Sequence, residues 1–209
     1  MLRVVHLVGS ERADLLALLG GLSAEQWDAP SLCSGWTVRD VAAHVIDYDV
    51  AGWAGTLDRM RSAAYRLDRS NALGSGANAR LGPGEIQTLL ARHLRPRGLP
   101  TLFGGRVALL DSVVHHQDIR RPLGLPRVVP AERLVPALNF ARVAYAAGIP
   151  RRIRGLSLTA VDLGWAAGRG PRVEGPAEAL LMGMAGRSVA LAELDGPGVA
   201  VLAGRIEAE

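Results

Sequence analysis

The chain contains no lysine, so its 24 basic residues are all arginines, and they stand against 20 acidic residues for a formal charge of +4. Acids and bases are interspersed along the sequence, whereas a strongly DNA-binding domain concentrates its excess on one face or arm. With abundant Ala, Gly, Val and Leu, this usage reads as GC-rich codon bias, and nucleic-acid binding ranks last among the function classes. Cysteine occurs once, at Cys33. That excludes an intramolecular disulfide and any cysteine-based zinc cluster, so metal chemistry would have to use histidine and carboxylate. No apolar run approaches the roughly 20 residues of a membrane span. The opening MLRVVHLVGSER has neither an h-region of signal length nor a small-residue cleavage site. A cytoplasmic globular protein with no membrane partner is expected. At 209 residues and 49% hydrophobic content the chain can build one large domain or two small ones.

Helical signals dominate up to about residue 148. Leu15, Leu18, Leu19 and Leu22 share a helical spacing that Gly20-Gly21 can end. Ser23 to Gln26 fits a capping box leading into Trp27, and Thr37 with Asp40 caps the next helix. That helix directs Val41, His44, Val45, Tyr48 and Gly52 to one face and is expected to reach about Leu67, with Arg59, Arg61, Arg66 and Arg69 on a solvated side. Residues 71–84 read as a flexible loop. Further helices are expected over 85–94, 105–121 and 131–147, and together these segments suffice for an antiparallel four-helix bundle.

After Pro150 the texture changes. Leu156 to Asp162 alternates with period two, as a strand does, and Arg172 to Glu174 follows a Gly-Pro turn as a second short strand. Pro176 opens a helix to about Met184; a helical piece over 187–194 and a last strand near 199–202 complete a small unit. The fold class is therefore α+β, with a bundle over 1–148 and a small α+β domain over 149–209.

The chemistry concentrates in LLDSVVHHQDIRRPLG, residues 109–124. Read as a helix, Val107, Leu110, Asp111, Val114, His115 and Asp118 form one core-facing stripe, and three of the six are polar. A buried carboxylate is costly unless it is hydrogen-bonded or faces a charge, so this stripe holds either a polar network or an ion. Asp111 and His115 stand one turn apart on the same face. With His44 from the earlier helix they make two imidazoles and one carboxylate, a three-ligand set that leaves a coordination position open in the manner of catalytic zinc. The bland alternative is a buried hydrogen bond from His44 to Asp111 or Asp118.

The runs CSGWTVRDVAAH (33–44) and VVHHQDIRRPLG (113–124), with LTAVDLGWAAGRGPRVEGPAEALLMGMAGR (158–187), resemble the mycothiol-dependent maleylpyruvate isomerase family of the DinB-like superfamily. The resemblance implies a DinB-like four-helix bundle holding a divalent metal, usually zinc, followed by the family's C-terminal domain. His44 matches the first ligand histidine and His115 the second; Asp111 stands where the family commonly has Glu, one methylene shorter. The cofactor implied is the thiol mycothiol, and a GC-rich, lysine-free chain suits the actinobacteria that make it. In that chemistry a metal-held thiolate adds to an electrophilic carbon. Expulsion after rotation gives a cis–trans isomerase, and keeping the adduct gives a thiol S-transferase. The partners expected are mycothiol and a small electrophilic substrate, with either a monomer or a homodimer allowed.

Arg106 and Arg187 are candidates for binding substrate carboxylates, since arginine pairs with them bidentately. His116 lies about 100° around the helix from His115 and reads as exposed or as a supporting partner. Asp118 can orient an imidazole or pair with Arg121. Cys33, Trp36 and Trp165 read as packing residues. The competing function is a non-catalytic metal-binding or small-molecule-binding regulatory protein on the same fold.

Overall fold

The helix boundaries follow from local hydrogen-bond accounting. The computed structural model describes residues 2–66, 69–71, 73–74 and 80–208, with only the backbone of residues 2 and 3. Helix α1 (Leu2–Gly20) stops at the Gly20-Gly21 pair. Ser23 caps α2 (Ala24–Asp28): the Gln26 amide donates to Ser23 Oγ at 3.3 Å, and the Ser23 amide donates to Gln26 Oε1 at 2.9 Å. Thr37 and Asp40 repeat the device for α3 (Val38–Ser62), at 3.2 and 2.9 Å. Each box satisfies amides that a bare helix start leaves unpaired. Helix α3 bends at Gly52 (φ 60) and stops at Ser62, short of the expected residue 67, which lies outside the described residues. Of the expected loop over 71–84, residues 72 and 75–79 also lie outside them. Pro83 opens α4 (Pro83–Arg92), two residues before the start read from the sequence.

Helix α5 (Leu102–Arg120) follows a 3-10 turn over Leu99–Thr101. Its first turn is irregular, with φ of 53 at Phe103, 70 at Gly104 and 87 at Gly105. Glycine is required at 105: besides the positive φ, an added Cβ would stand 3.2 Å from Val5 Cγ2 on α1. Helix α5 packs against both α1 and α3, and α4 closes the opposite side against the same two helices. Leu15, Leu19, Val41, Ile86, Leu90 and Ile119 are fully buried between them.

Two adjacent residues of α1 carry charge into this interior. Arg12, fully buried, donates to Asp49 Oδ2 at 2.8 Å, to the Val45 carbonyl at 3.1 Å and to the His93 carbonyl at 2.6 Å. Glu11, also fully buried, accepts from Arg127 at 2.7 and 2.6 Å and from His116 Nδ1 at 2.8 Å. His116 is thus neither exposed nor a neighbour of the His44 side of the bundle, which corrects the reading from helical phase. Helix α5 is buried around most of its circumference, so a residue turned 100° from one interior face meets another. Arg120 Nε donates to His116 Nε2 at 2.9 Å, which leaves Nδ1 as the protonated nitrogen that donates to Glu11.

The chain divides into two compact units between Arg127 and Val128. The division falls before the 148/149 boundary read from the sequence, so α6 (Ala131–Ala141) belongs to the second unit, where it packs on α8. Its buried face of Leu134, Ala137, Leu138 and Ala141 tells only that it packs, not against what. In that unit α7 (Ile149–Arg152) precedes β1 (Ser157–Ala160), β2 (Trp165–Gly168) and β3 (Arg172–Gly175). The sheet order is β2-β1-β3, antiparallel on one side and parallel on the other, with Leu158 opposite Ala167 and Val173. Helix α8 (Ala177–Met184) packs on β1 and β3, and the Asp162 carboxylate accepts from its Ala177 amide at 2.8 Å. A 3-10 turn (Ser188–Glu193) and α9 (Val199–Glu207) complete the unit. The strand expected near 199–202 is instead the start of α9. Strand β2 escaped the sequence reading because Ala166, Ala167 and Gly168 carry no strand-favouring side chain. The protein is accordingly α+β, with a helical N-terminal unit and a small C-terminal unit. Among the described residues no helix is long and apolar enough to cross a membrane.

The Glu11 cluster makes stability depend on pH. Burial would raise the Glu11 pKa, but His116 and Arg127 outweigh it and hold the carboxyl well below its ordinary 4.5. Glu11 then contributes stability that is complete above about pH 4.5 and is lost as pH falls through the acid range. Glu11→Gln is expected to cost about 3–5 kcal/mol at pH 7, because it leaves Arg127 buried without its anion. In urea melts the gap between the two proteins should narrow steadily below pH 4.5; a gap independent of pH would refute the assignment.

Candidate metal centre

His44 lies on the first half of α3, in the run Val38–Asp49 that faces the interior, and is 9% exposed. Asp111 and His115 lie one turn apart on α5, which packs against that half of α3. The three side chains that the sequence singled out therefore converge. Asp111 Oδ1 stands 3.4 Å from His115 Nε2 and 3.7 Å from His44 Nε2, and the two imidazole rings are edge to face at 4.9 Å between centroids. One donor atom from each residue lies within 4.8 Å of the others.

These separations bear on the two readings of the cluster. A direct hydrogen bond prefers about 2.7–3.2 Å, whereas donors sharing a tetrahedral ion at about 2.0–2.1 Å stand about 3.3 Å apart. The donors are thus spaced for an ion between them. Asp111 is about a third exposed, so the cluster is reachable from outside. The residues present fit a zinc-type ion through nitrogen and oxygen donors, with one position left for a further ligand.

The electrostatics agree with the geometry. Burial works to raise the Asp111 pKa, yet the His115 charge, with the His44 imidazole close by, holds it well below the carboxylate range. Burial works to lower that of His115, yet Asp111 first, then Asp118 and Cys33, push it well above 6.5.

His115 is held from behind. Its Nδ1 is 2.8 Å from Asp118 Oδ2, and Asp118 is fully buried. The Cys33 thiol donates to the same oxygen at 3.2 Å and lies 3.8 Å from His115 Nδ1. Of the roles weighed for Asp118, the imidazole contact is formed. Cys33 corrects its reading as a mere packing residue: with His115 and Asp118 it makes a second cluster of potential ligands. Helical phase carries no signal for such a loop residue. The bond from the Leu32 amide to the Asp118 carbonyl, at 3.0 Å, joins that of the thiol in bringing the loop onto α5.

The walls come from α3 and the loop before it. Trp36 packs edge-on to His44 at 5.1 Å, and Tyr48 lies on the other side at 6.4 Å. Arg59, expected on a solvated face, is 13% exposed, pairs with Asp47 at 2.6 Å and lies over the Tyr48 ring at 4.5 Å. The bend at Gly52 turns it back onto the earlier half of the helix, which straight-helix phase does not anticipate. Arg106 is exposed in the first turn of α5 and donates to the Phe103 carbonyl at 2.8 Å. Arg187 belongs to the C-terminal unit, where it donates to the Ala185 carbonyl at 2.7 Å. Trp165 packs within the same unit and donates from Nε1 to Asn139 at 2.9 Å.

Comparison with known proteins agrees with this architecture. Residues 8–103 match the family model of the Mycothiol maleylpyruvate isomerase N-terminal domain, a segment that includes His44 and ends before Asp111 and His115. No curated protein matches the chain in sequence. Among solved structures, a crystal structure of a histidine-to-alanine mutant of the mycothiol-dependent maleylpyruvate isomerase is similar with a TM-score of 0.59. The two are 16% identical, over 93% of this chain and 91% of the other. A second crystal structure of the mycothiol-dependent maleylpyruvate isomerase gives 0.54 at 17% identity, over 88% of each chain. At these identities the likeness speaks for the fold, which extends through the second motif and the C-terminal unit. The resemblance read in the motifs is thereby upheld: residues 8–103 match the model of that family's N-terminal domain, and the fold is similar to that of the two isomerase structures.

Proposed function

We propose that this protein is a metal-dependent enzyme with mycothiol as its thiol cofactor, joining the cofactor's sulfur to an electrophilic substrate. It works either as a maleylpyruvate-type cis–trans isomerase or as a thiol S-transferase. The observation that carries this reading is the spacing of His44, Asp111 and His115, too wide for direct hydrogen bonds and suited to one shared ion. The family-domain match and the fold of the two isomerase structures support it. When bound, a divalent ion, zinc by its donor set, would supply the Lewis acidity that keeps a thiol sulfur deprotonated at neutral pH.

The chain's own residues set the rest. His44 and His115 would offer neutral nitrogens and Asp111 the single negative charge, so that a thiolate joining a divalent ion completes a neutral site. Asp111 reaches one methylene less far than Glu, and either carboxylate is a competent zinc ligand. Trp36 and Tyr48 flank His44 with apolar ring surface that keeps bulk water from its face. Arg106 is proposed to engage a substrate carboxylate, for which the guanidinium fork is suited.

Elemental analysis of protein purified without a metal-affinity column is expected to find near-stoichiometric zinc in the wild type. In His44→Ala and His115→Ala the affinity should fall by more than about 100-fold, beyond the effect of losing an outer partner. Wild type without zinc, even after loading and dialysis, would overturn the metal site. Zinc retained with no mycothiol-dependent turnover of unsaturated diacids or other electrophiles would favour a non-catalytic binding protein instead.

For a diacid that is turned over, Arg106→Ala should raise KM about tenfold, roughly 1.4 kcal/mol of binding, with kcat little changed. An unchanged KM removes Arg106 from the substrate site.

A further inference from the structure

We propose that Asp118 and Cys33 act together as the positioning pair of the metal centre, fixing which nitrogen of His115 is presented and holding the loop that backs His44. The inference rests on the metal-site reading given above. Asp118 is fully buried and makes three linked contacts. Its Oδ2 meets His115 Nδ1 at 2.8 Å and the Cys33 thiol at 3.2 Å, and its carbonyl accepts from the Leu32 amide at 3.0 Å.

The first contact determines the imidazole. A buried carboxylate at hydrogen-bond distance keeps the proton on Nδ1 and leaves Nε2, the nitrogen turned toward Asp111, as the one available to an ion. The other two contacts determine the loop. Within it Ser31 Oγ donates to the Trp36 carbonyl at 2.8 Å, the Ser31 amide donates to the same carbonyl at 2.9 Å, and the Cys33 amide donates to Ser31 Oγ at 3.1 Å. These bonds set Trp36, whose ring packs edge-on to His44. One side chain thus ties the orientation of His115 to the wall behind His44.

Cys33 serves here as a hydrogen-bond donor. Its Sγ–H occupies the lone pair of Oδ2 that His115 does not use, which keeps that oxygen aimed at Nδ1. A serine hydroxyl can make the same bond, and an alanine cannot. The role therefore predicts a graded series rather than a dependence on sulfur.

The test uses full-length protein loaded with zinc or cobalt. In long-range proton–nitrogen spectra of the zinc-loaded wild type, His115 should carry its proton on Nδ1 and bind through Nε2; binding through Nδ1 would overturn the proposal. In chelator competition, Asp118→Asn should weaken zinc about 10- to 100-fold. Cys33→Ala should weaken it several-fold, and Cys33→Ser should return most of that loss. Equal affinities across the series refute the positioning role while leaving the metal site intact, and a wild type that binds no zinc refutes both. A sulfur-to-metal charge-transfer band in the cobalt-loaded wild type, absent from Cys33→Ser, would make Cys33 a ligand and also overturn the proposal. Should Asp118→Asn fail to fold, the wild-type spectrum and the two Cys33 variants still decide it.

Discussion

A carboxylate inside a helical bundle must be met by something that replaces water, and the N-terminal unit is arranged around that requirement. Glu11, Asp49 and Asp118 are buried within it, and each is answered from another segment: Glu11 by His116 and Arg127, Asp49 by Arg12, Asp118 by His115 and Cys33. Isolated, any of them would be driven toward its neutral form at a cost of several kcal/mol. Paired, they cross-link α1, α3 and α5 with directional bonds that apolar packing lacks. They thereby fix the rotation of α5 about its own axis.

That rotation places the candidate centre. With Glu11 holding His116 on one side and Cys33 holding Asp118 on another, α5 has little freedom to turn. Asp111 is the exception among these carboxylates. Its nearest partners are imidazole nitrogens at 3.4 and 3.7 Å, and it keeps about a third of its side chain exposed. The same rule that pairs the others tightly leaves this one spaced for a cation that the chain does not itself provide.

Much of the N-terminal unit was legible because its signals are local. Capping boxes at Ser23 and Thr37, the Gly20-Gly21 stop and the proline at 83 are each read within a few residues. The pairing of Asp111 with His115 follows from helical geometry alone, and His44 was marked by its place in an apolar stripe. Cys33, His116 and Arg59 were misread for one common reason. Each owes its position to something that straight-helix phase does not carry: Cys33 to α5, His116 to α1 and Arg59 to the bend at Gly52 within its own helix. In the C-terminal unit, β2 exists because β1 offers it a partner, while the Val199–Leu202 stretch, apolar enough for a strand, finds none and continues as α9.

The sequence by itself determined the α+β class, the helices of the first unit and the three residues that could share an ion, since each depends on spacing along one element. Tertiary structure decided the separation of those residues and the place of Cys33 behind His115. It also decided which compact unit α6 joins. The physical reason is that phase along a helix tells which side is buried but not what it is buried against, and hydrogen-bond partners more than 80 residues apart, such as Cys33 and Asp118, are chosen only when the helices have packed.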